Sequence, residues 1–390
     1  MLMHPFYKGK VEIALKSCVR DFDDFAIWYT PGVAAPCRAI EENPELVYEH
    51  THKGNTVAVV SDGTRVLGLG DIGPKAGLPV MEGKALLYKY LGGVDAWPIM
   101  LDTKDADKII ETVLLIQPGF GGINLEDLSQ PKCFRILDTL REQAEIPVWH
   151  DDQQGTATVT LAALINALKL VGKKIDEAQV VFVGSGASNV ACSRLIFASG
   201  ATPAICRVVD SKGILHKKRK DLEERKDEYV DKWKLCQITN EDGREGGISE
   251  ALDGADVVIA LSKPGPGTIQ PEWISKMAKD SIVFACAFRG TLDVRASTIT
   301  DTMCIAAANA LADMAEEKGL TPEYILPTMD EWEVFPREAA AVAVQAVKEG
   351  LARTPLTYEE ELKNAEAIIR RSRGLTTHMM EEGFIKPYTP

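Results

Sequence analysis

Four short apolar runs, QVVFVG, PAICRVVD, DVVIALS and SIVFACA, lie between Gln179 and Ala287 and alternate with helical or polar stretches. Strands this apolar have to be covered on both faces, and the intervening helices let successive strands run parallel. The pattern therefore specifies a doubly wound parallel sheet. The first run leads into VFVGSGASNVA, which puts Gly184 and Gly186 directly after a strand and before a helix. There bare backbone can approach a pyrophosphate while the helix N–H groups point at it. Asn189 takes the place of the third glycine of G-x-G-x-x-G, so the glycines alone are also compatible with a plain tight turn. Asp210, closing the next strand, favours a dinucleotide site in which it accepts hydrogen bonds from the adenine ribose, as for NAD. Ser211 and Lys212 are placed to hold the extra phosphate of NADP instead, and both cofactors stay open.

The chain before this sheet is also α/β. Residues 56–70, TVAVVSDGTRVLGLG, read as a strand, an Asp-Gly turn and a second strand, a hairpin by pattern. From Lys84 the spacing becomes helical. AWPIMLDT and GFGGINLED are apolar strands ending in acidic residues, with the helix DADKIIETVLLIQ between them. The two strand series change over near residues 150–155, which divides the chain into an N-terminal α/β domain, 1–153, and a Rossmann-like NAD(P)-binding domain, 154–390. The latter ends in helices with apolar faces, TITDTMCIAAANALADMAEEKG and PREAAAVAVQAVKEGLAR, the second with Pro336 suited to a first turn.

Composition removes several function classes. With 45% hydrophobic and 26% charged residues over 390 positions, the chain is expected to be globular and larger than one ordinary core. A net charge of −13 argues against a nucleic-acid or anionic-membrane partner, since such surfaces need basic patches. The basic run HKKRK at 216–220 reads as a solvated turn. Eight scattered cysteines without CxxC pairs, and no leader pattern, suggest reduced thiols in the cytoplasm.

Two acidic pairs stand at strand ends near the domain boundary, Glu126 with Asp127 and Asp151 with Asp152. Hard oxygen ligands from separate strands suit Mg2+ or Mn2+, although acidic loop residues are often only solvated. Lys84, where a glycine-rich apolar loop enters a helix, becomes a base if burial and a nearby cation lower its pKa. Tyr29, before a proline turn, is a possible proton donor. A snorkelling lysine and a core tyrosine are the plainer alternatives.

In this order the pieces resemble the malic enzymes, specifically the short bacterial and archaeal form that lacks a fused phosphotransacetylase-like domain. The likeness runs from YTPGVA at 29–34 to EGLAR at 349–353. Between them lie SDGTRVLGLGDIGPKAGLPVMEGK, NLED, HDDQQGTA, the glycine turn, LSKPG and FRGTLDVRA. The resemblance implies that Tyr29 is the general acid, Lys84 the general base and Arg65 a clamp for a malate carboxylate. It implies Glu126, Asp127 and Asp152 as metal ligands and Asp151 as a neighbouring carboxylate that tunes Lys84 or the metal site. It places Gly184, Gly186 and Ala187 on the cofactor pyrophosphate and Ser262 beside the cofactor. The implied reaction oxidises malate at C2, releases CO2 and leaves pyruvate, with NAD or NADP as hydride acceptor, in a homodimer or higher homo-oligomer.

One departure concerns ACAFRG. After its VFA-A strand the family continues with a further strand, a helix and an asparagine-rich segment, whereas here Ala287 runs straight into Phe288. Either the natural protein has a segment that this sequence lacks, or the deletion is genuine and damages the site. The integrity of the other motifs favours the former. Two rivals to malate oxidation follow: a malolactic enzyme, which reduces the pyruvate to lactate before release, and a catalytically silent nucleotide-binding paralogue.

Overall fold

The structure, a computed structural model, describes residues 2–262, 269–283 and 295–388. Two separate sheets organise it. The first contains β1 (Thr56–Ser61), β2 (Asp95–Met100), β3 (Gly122–Leu125) and β4 (Val148–His150), all parallel, in the order β2-β1-β3-β4. Every residue of β1 is buried. Its alternate side chains serve two cores: Val57 and Val59 pack with Met81 and Ala85, while Ala58 and Val60 join the cluster of Ile109, Val113 and Ile136. Such a strand needs a cover on each face. The helix Gly73–Gly92 supplies Met81 and Ala85, and the helices Ala106–Ile116 and Lys132–Gln143 supply the others.

The hairpin expected over residues 56–70 does not form. β1 is claimed on both edges by parallel partners, β2 and β3, so the chain beyond it has no free edge to pair with. It makes a loop instead, in which Asp62 Oδ1 accepts from the Thr64 N–H at 3.0 Å and the Thr64 hydroxyl at 2.6 Å. Of the proposed second strand only the bridge between Val66 and Gly70 remains. Gly63, at φ +69°, returns its carbonyl to the N–H groups of Ile72 and Gly73, 3.1 Å each. A side chain at Gly63 would collide with the backbone of Gly73. The loop is thereby fixed against the start of the helix that carries Lys84.

The second sheet contains β5 (Val180–Val183), β6 (Arg207–Asp210), β7 (Gly213–Ile214), β8 (Val257–Ala260) and β9 (Ile282–Val283) in the order β7-β6-β5-β8-β9. All neighbours are parallel except β6 and β7. The four apolar runs thus form the doubly wound sheet that their composition dictates. The join between Ala287 and Phe288 lies outside the described residues. The helix Thr156–Val171 follows β4 through one wide turn, Asp151–Gly155, and packs between the helices Ala187–Ala198 and Asp301–Lys318. By length and composition the segment Asp151–Val171 could cross a membrane, but 72% of its most apolar 18-residue stretch is buried inside the protein, as in a core helix.

The expected C-terminal helices are Asp301–Lys318 and Val334–Lys348, with Pro336 in the first turn of the latter. A further helix, Tyr358–Glu381, begins at a Thr357/Glu360 capping box and returns to the first domain, where the Ser372 hydroxyl donates to the Lys89 carbonyl at 2.7 Å.

Candidate active site

In an open parallel sheet, ligands bind beyond the carboxyl ends of the strands where the strand order reverses. In the first sheet that point lies between β1 and β3; in the second it lies between β5 and β8. One cavity of about 830 Å3 touches both. From the first sheet it is lined by Arg65, Lys84, Glu126, Asp127, Asp151 and Asp152; from the second by Gly184, Gly186, Ala187, Asp210, Ser211 and Ser262. Residues read from separate parts of the sequence therefore meet in one place.

Lys84 enters from the helix Gly73–Gly92. Its ammonium lies 2.6 Å from Asp151 Oδ2 and 3.1 Å from Glu126 Oε1. The Asn124 amide donates to Glu126 Oε2 at 2.7 Å, and the Tyr88 hydroxyl donates to Asn124 Oδ1 at 2.9 Å. Asn124 lies two residues before Glu126, as residues on one face of a strand do. That period-two spacing in INLE is the signal by which sequence could have found it. Trp149 Nε1 donates to Asp151 Oδ1 at 3.3 Å.

The expected lowering of the lysine's pKa depends on a cation beside it; the surrounding side chains by themselves act the other way. Burial, the largest influence, pulls it down, but Asp151 and Glu126 together outweigh burial and hold Lys84 above the ordinary lysine value. With Asp151 and Glu126 at contact distance, the ammonium form of Lys84 is favoured.

Glu126, Asp127 and Asp152 can each offer one oxygen such that all three lie within 4.8 Å of one another. Burial, then the charge of Asp151, pushes Glu126 well above the usual carboxylate range. Burial, then Asp152, pushes Asp127 up to about 7. Asp127 Oδ2 is buried and makes no hydrogen bond. Three crowded carboxyls, one with an orphaned oxygen, are a donor set that suits a divalent cation with hard oxygen ligands. Asp127 is held at φ +54°, its N–H donating to Asp152 Oδ2 at 2.9 Å and its carbonyl accepting from the Arg65 N–H at 2.9 Å.

The glycine turn meets its steric requirements. Gly184 has φ +103°, and a Cβ there would stand 2.9 Å from Ser262 Cβ, so only glycine lets β5 and β8 end this close together. At Gly186 a Cβ would meet nothing within 4 Å. Its open side faces the cavity and leaves room for a pyrophosphate at the start of the helix Ala187–Ala198. Asn189, in the third-glycine position, is buried and donates to the carbonyls of Val183 and Gly184, 2.9 Å each. It pins the turn from inside.

Two residues are placed differently from the simple reading. Tyr29 is 71% exposed and does not line the cavity. Arg219, within the basic run read as a solvated turn, is nearly buried and forms two hydrogen bonds to Asp210, at 3.1 and 3.0 Å.

The fold is that of an α/β oxidoreductase, with a glycine turn facing a cluster of acidic side chains across one cavity. Residues 8–141 match the family model for the malic enzyme N-terminal domain, and residues 153–287 match that for the malic enzyme NAD binding domain. The chain belongs to the malic enzyme family. It is 44% identical to a NAD-dependent malic enzyme of Geobacillus stearothermophilus, across 90% of this chain and 79% of that one. It is 41% identical to a bifunctional malic/malolactic enzyme of Bacillus subtilis, across 92% and 95%. The crystal structure of Entamoeba histolytica malic enzyme superposes with a TM-score of 0.95 at 45% identity, covering 100% of this chain and 89% of that one. That of the malic enzyme from Pyrococcus horikoshii Ot3 gives 0.91 at 42%, covering 98% and 99%.

Proposed function

We propose that the chain oxidatively decarboxylates L-malate to pyruvate and CO2, reducing NAD or NADP, with Mg2+ or Mn2+ bound. The observation that carries this reading is the single cavity in which the Lys84–Asp151 pair and the acidic triad face the glycine turn. When bound, the cation supplies Lewis-acid stabilisation of negative charge on the substrate oxygens, and the nicotinamide supplies a hydride acceptor. Glu126, Asp127 and Asp152 hold the cation, while Gly184, Gly186 and Ala187 cradle the pyrophosphate, with Asp210 and Ser262 beside the cofactor. Arg65 clamps a malate carboxylate. Lys84 relays the C2 hydroxyl proton, with Asp151 at 2.6 Å as the group that takes or returns a proton on its other side.

Tyr29 donates the proton that C3 gains after CO2 leaves. Since it faces solvent in one copy of the chain, this role requires a homodimer or higher homo-oligomer that covers it. The same stretch exposes Phe22, Phe25, Ile27, Trp28 and Val33, a run of apolar side chains of the kind that marks an interface. The domains are taken as 1–153 and 154–390, with malate and nucleotide between them. The free cysteines among the described residues accord with a cytoplasmic setting.

The test is incubation of the purified protein with L-malate, Mn2+ and NAD or NADP. Pyruvate and reduced cofactor in equal amounts are expected. Lactate without net cofactor reduction would make it a malolactic enzyme, and no product a silent paralogue.

A further inference from the structure

Lys84 and Glu126 line the cavity, and two residues behind them, Tyr88 and Asn124, do not. Lys84 and Tyr88 stand four apart on the helix Gly73–Gly92, so they share one face of it, about 6 Å apart along its axis. Asn124 and Glu126 stand two apart at the end of β3, where the Glu126 N–H still donates to the Val60 carbonyl at 2.9 Å and continues the ladder. Two residues of strand span about 6.6 Å, which nearly matches the helix spacing. Each helix residue therefore meets one strand residue. Lys84 Nζ lies 3.1 Å from Glu126 Oε1, and the Tyr88 hydroxyl donates to Asn124 Oδ1 at 2.9 Å. The Asn124 amide closes the frame by donating to Glu126 Oε2 at 2.7 Å.

The frame divides the Glu126 carboxylate between two donors, one for each oxygen. Asn124 is 1% exposed and Glu126 6%, so water is a poor substitute for either partner. An ionised carboxylate only accepts, so it takes the Asn124 N–H and leaves the amide oxygen turned to the Tyr88 hydroxyl, which supplies a proton there. Without Asn124, Lys84 would be the remaining donor of the frame. The carboxylate would then be free to swing both oxygens onto that ammonium, away from Asp127 and Asp152.

We infer that Tyr88 and Asn124 are positioning residues, which hold Glu126 turned so that it serves Lys84 and the cation of the acidic triad at the same time. Asn124 acts on Glu126 directly, and Tyr88 acts through Asn124. The inference rests on the reading of Glu126, Asp127 and Asp152 as a cation site.

The test is titration of the whole protein with Mn2+, followed by the electron paramagnetic resonance signal of free Mn2+, with ADP-ribose titrated in parallel. Asn124→Leu, similar in volume, should weaken Mn2+ about tenfold, as loss of a hydrogen bond to a charged group does, and leave ADP-ribose affinity as it was. Tyr88→Phe should weaken Mn2+ by a smaller factor with the same selectivity. In the Asn124→Leu background it should add nothing, because its route to Glu126 is already cut. The Tyr88→Phe result stands by itself should Asn124→Leu not fold. Unchanged Mn2+ affinity in Tyr88→Phe, equal losses for Mn2+ and ADP-ribose, or additive losses in the double variant overturn the inference and leave the cation site standing. An unaltered protein that binds no Mn2+ removes the cation reading and this inference with it.

Discussion

Lys84 Nζ lies 2.6 Å from Asp151 Oδ2, which ties the long helix of the first domain to the turn from which the first helix of the second domain springs. The contact joins the proposed proton carrier to a residue at the domain boundary. Replacing Lys84 with alanine should lower both malate oxidation and oxaloacetate reduction by about 10²–10⁴-fold, the range for loss of a general base. Tyr29→Phe, acting only at C3, should keep much of the oxaloacetate reduction. Comparison of the two partial reactions checks this, and equal losses would remove the division of labour.

The acidic triad predicts a pH dependence whose sign follows from Asp127. Its carboxyl is raised to about 7 in the folded state, against about 4 in an unfolded chain. The fold therefore binds this proton more tightly than the unfolded chain does. Its favourable contribution is complete below about pH 4 and is lost as pH rises through about 7. Thermal melts of metal-free protein should accordingly show this loss across that window, and saturating Mn2+ should abolish it. Mn2+ affinity should rise over the same range, because the ligand must be deprotonated. Asp152→Asn should weaken Mn2+ severely at every pH, and unchanged affinity by calorimetry would exclude Asp152 as a ligand.

The two glycines of the turn should fail in different ways. Gly184→Ala places a Cβ at φ +103° against Ser262 and should destabilise the protein by about 1–3 kcal/mol, as strained backbone does. Gly186→Ala meets no protein atom within 4 Å. It should melt like the unaltered protein yet lose ADP-ribose affinity, because the added methyl occupies the pyrophosphate's space. Melting curves and titrations of both variants check the contrast.

How far sequence reaches into this site depends on the range of the interaction. The strands of the second sheet were legible because Val180–Val183 and Val257–Ala260 are apolar enough to demand burial on both faces. The acidic pairs were legible because strand ends are where ligands gather. The Lys84–Asp151 contact, between residues far apart in the chain, has no local signature and is suggested beforehand only by the family resemblance; it forms when β1, β3 and β4 assemble beside the Lys84 helix. The hairpin at 56–70 was misread for the converse reason: its local pattern is sound, but β2 and β3 take both edges of β1. Arg219 looked solvated because nothing in HKKRK says that the chain folds one of its four cations back onto Asp210. Asn189 looked like a lost glycine because its hydrogen bonds to the turn carbonyls have no local signature.

Tyr29 gives the last prediction. Its side chain is 71% exposed among other exposed apolar residues, while Lys84 is enclosed in the cavity. A symmetric pair of copies puts the same patch of each against the other, so the tyrosine of one chain can complete the lysine site of its partner. If so, homo-oligomers of Tyr29→Phe and of Lys84→Ala each lack one half of every site, but a hybrid contains one site with both native groups. Dissociating the two variants, each deficient in forming pyruvate from malate, mixing them equally and reassembling them should recover about a quarter of the unaltered pyruvate-forming activity, since half of random dimers are hybrids and one site in each is intact. Each variant treated alone should recover none. An absence of recovery, with hybrid formation verified by native mass spectrometry, would place Tyr29 and Lys84 of the same chain in the same site.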